Sequence, residues 1–162
     1  MGYQEERKNL EKFSTHLEKM GVPFNFKDIG KEEEVFPAII CTYRHEEIDF
    51  DVIIYNIANW IHVKCLVLDV KGFPSQVSLS IFKLALKLNY DLPETTFSLY
   101  KNKLYLEIDC LIDIDYDDFL EEFNSIPMGL NTFISTLRKK EEEVKIASTK
   151  GTLEKMKEKL KR

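Results

Sequence analysis

The sequence predicts an α+β protein with one antiparallel sheet, in the order α-β-β-β(-β)-α-β-β-α, followed by a C-terminal helical extension. Three observations predict this class. Runs of β-branched and aromatic residues are separated by short turns, which is typical of antiparallel strands. Apolar residues at helical spacing divide the strands into two groups. Of the 162 residues, 44% are apolar, which is enough for a proper core.

The spacing of apolar residues changes from helical to alternating where the first helix gives way to the first strand. Residues 3–20 carry an apolar stripe at helical spacing, and Gly21 supplies a helix stop. Val22, Phe24 and Phe26 then alternate with polar residues, as expected of a short strand.

Three longer strand-like runs follow, each rich in β-branched or aromatic residues. They lie at residues 36–44, 48–57 and 60–70. The turns that separate the runs are short enough for antiparallel neighbours, and are predicted at residues 31–34, 45–47 and 58–59. Apolar residues occupy both faces of the third run. We therefore expect that strand to be central and covered on both sides for much of its length.

The segment that begins at Ser75 predicts a helix with two apolar stripes. The first stripe consists of Val77, Ile81, Leu84, Ala85 and Leu88. The second stripe consists of Leu79, Phe82, Leu86 and Tyr90. A helix that is apolar on most sides has to be covered on most sides. One stripe can meet the sheet, and the second stripe is expected to meet a second protomer, which predicts a homodimer.

Two strands and a final helix complete the predicted domain. The strands are expected at residues 95–100 and 103–111. The helix begins near Asp115, and Asp118 three positions later makes an approximate capping box. Pro127 and Gly129 are expected to kink or split this helix near residue 127.

Charge is divided unevenly along the chain, whose net charge is −5. Residues 138–162 hold ten Lys or Arg and five Glu, a balance of +5, whereas residues 1–137 have a balance of −10. We therefore predict a single domain at 1–137 and a basic, Lys/Glu-rich helical or mobile extension at 138–162. An acidic body repels phosphate, so nucleic-acid or acidic-partner docking through the extension is a weaker alternative.

Neither a signal-peptide core nor a membrane-spanning apolar run is visible, so a soluble, cytoplasmic protein is expected. Cys41, Cys65 and Cys110 each lie in an apolar strand-like run, which favours reduced thiols that act as small hydrophobes.

No known chemical motif is present, so the sequence predicts neither an enzyme nor a cofactor or metal site. Phosphate-binding glycine loops, metal-ligand spacings and nucleophile motifs are all missing from the sequence. Asp113 and Asp115 resemble the opening of a calcium loop, but Asp118 occupies the position that requires Gly, so helix capping is favoured. The alternative function is a small ligand-binding domain or enzyme with a pocket near His62 and Cys65.

Several tyrosines alternate with apolar residues in the predicted strands. They are Tyr43, Tyr55, Tyr100 and Tyr105. If they share a sheet face, they form an apolar patch with polar rims, which is typical of a peptide-binding surface. Coverage of this face by helices is the competing explanation.

The order of elements and three hydrophobic stretches resemble type III secretion chaperones and their YbjN-like relatives. The stretches are Leu84–Pro93, Phe97–Leu99 and Leu104–Asp109, and the similarity covers residues 3–137. The resemblance implies a twisted antiparallel sheet and a homodimer whose interface includes Leu79, Phe82 and Leu86.

Members of the secretion type hold an extended effector segment on apolar patches of helix and sheet. The basic extension and the extra strand-like run depart from that type. The resemblance therefore implies a non-enzymatic, dimeric, chaperone-like module that binds an extended polypeptide or an amphipathic segment of a partner protein.

Overall fold

The computed structural model describes residues 2–31, 34–45 and 48–160, and for residues 31, 34, 45, 141 and 143–160 it describes the backbone alone. The elements are α1 (Tyr3–Met20), β1 (Phe24–Lys31), β2 (Glu34–His45), β3 (Ile48–Ile57), β4 (Trp60–Asp69), α2 (Ser75–Asp91), β5 (Thr96–Tyr100), β6 (Lys103–Leu111) and α3 (Tyr116–Leu160). This order confirms the predicted fold class, with four strands before α2. Residues 32–33 and 46–47, in two of the predicted turns, lie outside the described residues.

Within the described ranges, six strands form one sheet in the order β1-β2-β3-β4-β6-β5, and each neighbouring pair is antiparallel. One row of directly paired residues runs across all six strands: Phe24, Cys41, Val52, Cys65, Leu106 and Phe97. Most of these side chains are at most 4% exposed. This row belongs to the helix face of the sheet, which is the face that forms the core.

Helix α1 packs on the helix face over β2 and β3. The apolar stripe predicted for α1 faces the core, because Leu10, Phe13 and Leu17 are at most 2% exposed. Gly21 ends the helix with φ +68°, a left-handed conformation that glycine adopts at low cost. Its N–H donates to the carbonyl oxygens of the last helical turn, as in a common helix stop.

Helix α3 begins beside α1. The Phe119 ring meets the Phe13 ring edge to face, with centroids 4.6 Å apart. The expected split near residue 127 is absent, since Pro127 lies inside the helix. Ile126 and Leu130, on either side of that proline, are at most 1% exposed. Their burial stabilises the helical turn that the missing proline N–H weakens.

Contacts divide the chain into two compact units, Met1–Leu130 and Asn131–Arg162. The first unit contains the sheet, α1, α2 and the first turns of α3. The second unit contains the remainder of α3, a helix up to Leu160. The predicted division after residue 137 stays a prediction.

None of the helices in the described ranges has the length and apolar character needed to cross a membrane.

Candidate functional site: three exposed surfaces

Helix α2 separates its two apolar stripes between the core and solvent. Ile81, Leu84, Ala85 and Leu88 of the first stripe are at most 6% exposed, while Val77 at its start is 44% exposed. The second stripe, which we call the α2 face, consists of Leu79, Phe82, Leu86 and Tyr90. Leu79 is 45%, Leu86 69% and Tyr90 92% exposed, and Phe82 is half-buried. The sheet therefore hides only one side of this apolar helix.

Helix α2 is fastened to the edge strand β5 by one side chain. The Asn89 amide donates to the carbonyl oxygen of Phe97 over 3.0 Å, and the Phe97 N–H donates to the Asn89 oxygen over 2.6 Å. The amide thus satisfies one backbone donor and one backbone acceptor, as a neighbouring strand would. These two hydrogen bonds to the backbone hold the α2 face at a fixed position relative to β5.

The second surface is the face of the sheet opposite the helix face, which we call the open face. Tyr55, His62, Lys64 and Tyr105 lie on it and are half-buried, whereas Ile54, Val63 and Leu106 beside them are fully buried. Strand β4 is central in the sheet, as expected. The expectation that it is covered on both sides is wrong, because no helix packs over His62 and Lys64 within the described residues and solvent reaches them.

Ring stacking and ion pairs order the side chains of the open face. The Tyr55 ring stacks on the His62 ring, with centroids 5.2 Å apart and planes 21° apart. His62 Nδ1 lies 2.5 Å from Asp109 Oδ1. Lys64 Nζ lies 3.2 Å from Glu107 Oε1. Burial lowers the pKa of Lys64, but hydrogen bonds to Tyr55 and Glu107 outweigh it and leave this pKa raised.

The four predicted tyrosines do not all share one face. Tyr55, Tyr100 and Tyr105 lie on the open face, because each alternates with a residue of the helix face along its strand. Tyr43 is directly paired with Phe50, which is 5% exposed and belongs to the helix face. Three of the four tyrosines therefore share the open face.

His62 and Cys65 are not brought together by the fold. They are three residues apart in β4, so their side chains lie on opposite faces of the sheet. Cys65 is fully buried, and burial raises the pKa of its thiol to about 12. Cys41 and Cys110 are also free and buried, as small hydrophobes are expected to be. A thiol with so high a pKa is a poor nucleophile at neutral pH.

The third surface is an open groove of about 570 Å³ between the end of β6 and the start of α3. Eleven of the described residues line it: Trp60, Glu94, Asp109, Cys110, Leu111, Asp113, Ile114, Asp115, Asp118, Glu121 and Glu122. Seven of them are carboxylates, and we call this surface the acidic groove. Among the described residues, no group of three or more His, Cys, Asp or Glu can hold a metal ion.

Helix capping, which the sequence predicted, accounts for one carboxylate of the groove. The Asp118 N–H donates to Asp115 Oδ1 over 3.0 Å, which confirms the cap. Burial, and next the charges of Glu94 and Asp118, raise the pKa of Glu122. The acidic groove therefore holds more negatively charged side chains than the helix cap requires. Trp60 and Glu94 come from distant segments, so no sequence pattern showed that they join this groove.

Behind the groove, His16 packs as an aromatic side chain. Its ring stacks on Phe119, with centroids 5.4 Å apart, and its Nε2 lies 3.3 Å from the carbonyl oxygen of Ile114. Its Nδ1 is buried, with no partner among the described residues. This contact links α1 to the loop before α3.

Fold and surfaces together define a small α+β protein whose sheet is packed by helices on one face and presents tyrosines on the other. The structure is similar to the crystal structure of YbjN, a candidate transcription regulator from E. coli. Sequence identity is 14%, the TM-score is 0.49, and the match covers 75% of this chain and 87% of that chain. The resemblance drawn from the sequence named YbjN-like proteins together with type III secretion chaperones. No protein-family model and no curated protein sequence matches the chain.

Proposed function

We propose that this protein is a homodimeric, non-enzymatic, chaperone-like module that holds an extended polypeptide or an amphipathic segment of a partner protein. The observation that carries the proposal is the exposure of the α2 face. Leu86 and Tyr90 are 69% and 92% exposed on a helix whose first apolar stripe is mostly buried. Soluble proteins that expose apolar side chains in a contiguous patch commonly use them for association.

A second copy of the same helix is the occupant we propose for the α2 face. Two identical apolar stripes related by a two-fold axis make a self-complementary contact. Complete burial of a leucine contributes about 1.5–3 kcal/mol, so in each protomer the exposed part of Leu79 contributes roughly 0.7–1.4 kcal/mol and that of Leu86 roughly 1–2 kcal/mol. Four such side chains at one interface supply a useful part of the free energy of association.

The open face is the surface that we propose for the partner polypeptide. Tyr55, Tyr100 and Tyr105 present large rings with polar tips, which suit contacts with an extended chain at low cost in side-chain entropy. The His62–Asp109 hydrogen bond and the Lys64–Glu107 ion pair add polar groups to the same face. The three free cysteines support a reducing compartment, which we propose to be the cytoplasm.

The dimer is tested by the mass of the full chain in solution, measured by light scattering. Wild type is expected at twice the protomer mass, and the double variant Leu79→Gln and Leu86→Gln at one protomer mass at micromolar concentration. The matched control is Val35→Thr with Ile48→Thr, which alters two apolar side chains that are each 45% exposed elsewhere. A wild-type protein that is monomeric, or a double variant that stays dimeric, contradicts the proposed interface.

Binding at the open face is tested separately, with a fluorescein-labelled peptide of alternating leucine and serine. We expect Tyr55→Ser with Tyr105→Ser to weaken the peptide at least about fivefold, while the α2 variants bind it as wild type does. If the peptide binds wild type and the tyrosine variant with equal affinity, the open face is not the binding surface.

A further inference from the structure

One exposed apolar surface lies where β3 ends, β4 begins and β6 ends. Ile57 is directly paired with Trp60, and Trp60 with Leu111. Their side chains are 50%, 46% and 49% exposed, and all three lie on the open face. We call this row of three residues the Trp60 ridge. Three large apolar side chains side by side in solvent are typical of a docking surface.

The negative charge beside the ridge favours a positively charged partner. Trp60 and Leu111 also line the acidic groove, whose eleven described lining residues include seven carboxylates and no Lys, Arg or His. Asp109 pairs with the neighbouring His62, and the other six carboxylates add like charges to one side of the ridge. The raised pKa of Glu122, caused by burial and by Glu94 and Asp118, agrees with this accumulation of negative charge.

We propose that the Trp60 ridge and the acidic groove together bind a basic segment of a partner protein, in which lysine or arginine side chains alternate with apolar ones. The apolar side chains cover the ridge, and the cations enter the groove. The exposed indole adds a favourable face for a cation. An anionic partner, such as a nucleic acid, is repelled by the same carboxylates. The inference rests on the proposed polypeptide-binding function and states the chemistry of the polypeptide.

The chain itself supplies the probe, because Trp60 is its only tryptophan. Three peptides without aromatic residues are titrated into the full chain while the emission of Trp60 is recorded. All three alternate leucine with a second residue, which is lysine, serine or glutamate. We expect the lysine peptide to shift the emission saturably and to bind at least about tenfold more tightly than the serine peptide. Its affinity is expected to fall between about 50 and 500 mM NaCl.

A triple variant removes charge from the groove and keeps Asp115, whose carboxylate accepts the capping hydrogen bond. It combines Asp113→Asn, Asp118→Asn and Glu121→Gln, three exposed residues. Its control combines Asp91→Asn, Asp117→Asn and Glu18→Gln, which are exposed outside the groove and change the net charge equally. We expect the triple variant to bind the lysine peptide at least about fivefold more weakly, and the control to bind as wild type does.

A second variant tests the ridge with every carboxylate in place, and also serves if the triple variant fails to fold. Leu111→Thr keeps a strand-forming residue and shortens the exposed apolar side chain. We expect it to weaken the lysine peptide about threefold or more.

Four outcomes overturn the inference. Equal binding of lysine and serine peptides removes the charge selectivity but leaves polypeptide binding intact, whereas no binding of any peptide removes the proposed function as well. If the triple variant binds the lysine peptide as tightly as wild type does, the carboxylates do not contribute to the site. Self-association of the full chain at low salt that the triple variant abolishes assigns the ridge and groove to the basic segment 138–162 of a second copy.

Discussion

Replacement of Gly129 by Ala is expected to destabilise the protein, although alanine is the better helix former. A Cβ atom at residue 129 would lie 2.8 Å from Leu106 Cδ2 and 3.2 Å from Thr95 Oγ1. Leu106 is fully buried in β6 and Thr95 is 3% exposed, so neither side chain has free space to enter. The glycine therefore permits a close approach of α3 to the sheet.

The magnitude follows from two opposing effects. Alanine gains about 1 kcal/mol over glycine in a helix interior. Overpacking of a tight core by one methyl group costs about 1–3 kcal/mol, and a 2.8 Å contact belongs at the upper end of that range. The expected net loss is about 1–2 kcal/mol of the free energy of unfolding, or a fall in Tm of roughly 2–8 °C.

Urea denaturation followed by circular dichroism measures this loss. The control is Asn124→Ala, an exposed position in the same helix, which reports the gain in helix propensity alone and is expected to be stabilising by a few tenths of a kcal/mol. Combining Gly129→Ala with Leu106→Val makes room for the methyl group, so the double variant is expected to be more stable than the sum of the single changes predicts. A Gly129→Ala protein as stable as wild type, or more stable, would refute the close approach.

Two further predictions concern the edge of the sheet and the buried thiols. Asn89→Ala removes both hydrogen bonds to the Phe97 backbone, and we expect it to lower the free energy of unfolding by about 1–3 kcal/mol in urea denaturation; the same loss in Asn124→Ala would argue against a specific role for that amide. Burial raises the pKa of all three thiols from 9.0 to about 12, so the folded state retains thiol protons that the unfolded chain releases. The contribution of these thiols to the free energy of unfolding is complete below pH 9 and is lost as the pH rises towards 12, so we expect the Tm to fall over that range. We also expect the thiols to react with a disulfide reagent at pH 8 only when urea unfolds the protein. A variant with all three cysteines replaced by alanine, compared at each pH with wild type, is the control, and an identical decline in Tm would show that other groups cause it.

The elements were predictable because their signals are local. The period of apolar residues identified α1 and its stop at Gly21, and the two stripes of α2 separated into one buried and one exposed side. The aspartates at the start of α3 were predicted to cap it, and Asp115 accepts the expected hydrogen bond. Each of these features depends on residues within one or two turns of each other.

Other features could not be predicted, because they depend on which strands become neighbours. Tyr43 and Tyr55 look equivalent in the sequence, but the register of β2 against β3 puts them on opposite faces. Gly129 looked like a helix breaker, and its role is explained only by the approach of Leu106. The acidic groove needs Glu94 and Trp60, which come from a loop and a strand distant in sequence from α3.

The sequence by itself therefore determined the kind and order of the elements and the apolar surplus of α2, since hydrophobic period and turn residues act over short distances. The tertiary structure alone decided that β6 lies between β4 and β5, which tyrosines share the open face, and that carboxylates gather beside the Trp60 ridge. These are consequences of long-range strand pairing and packing, in which residues far apart in the chain become neighbours.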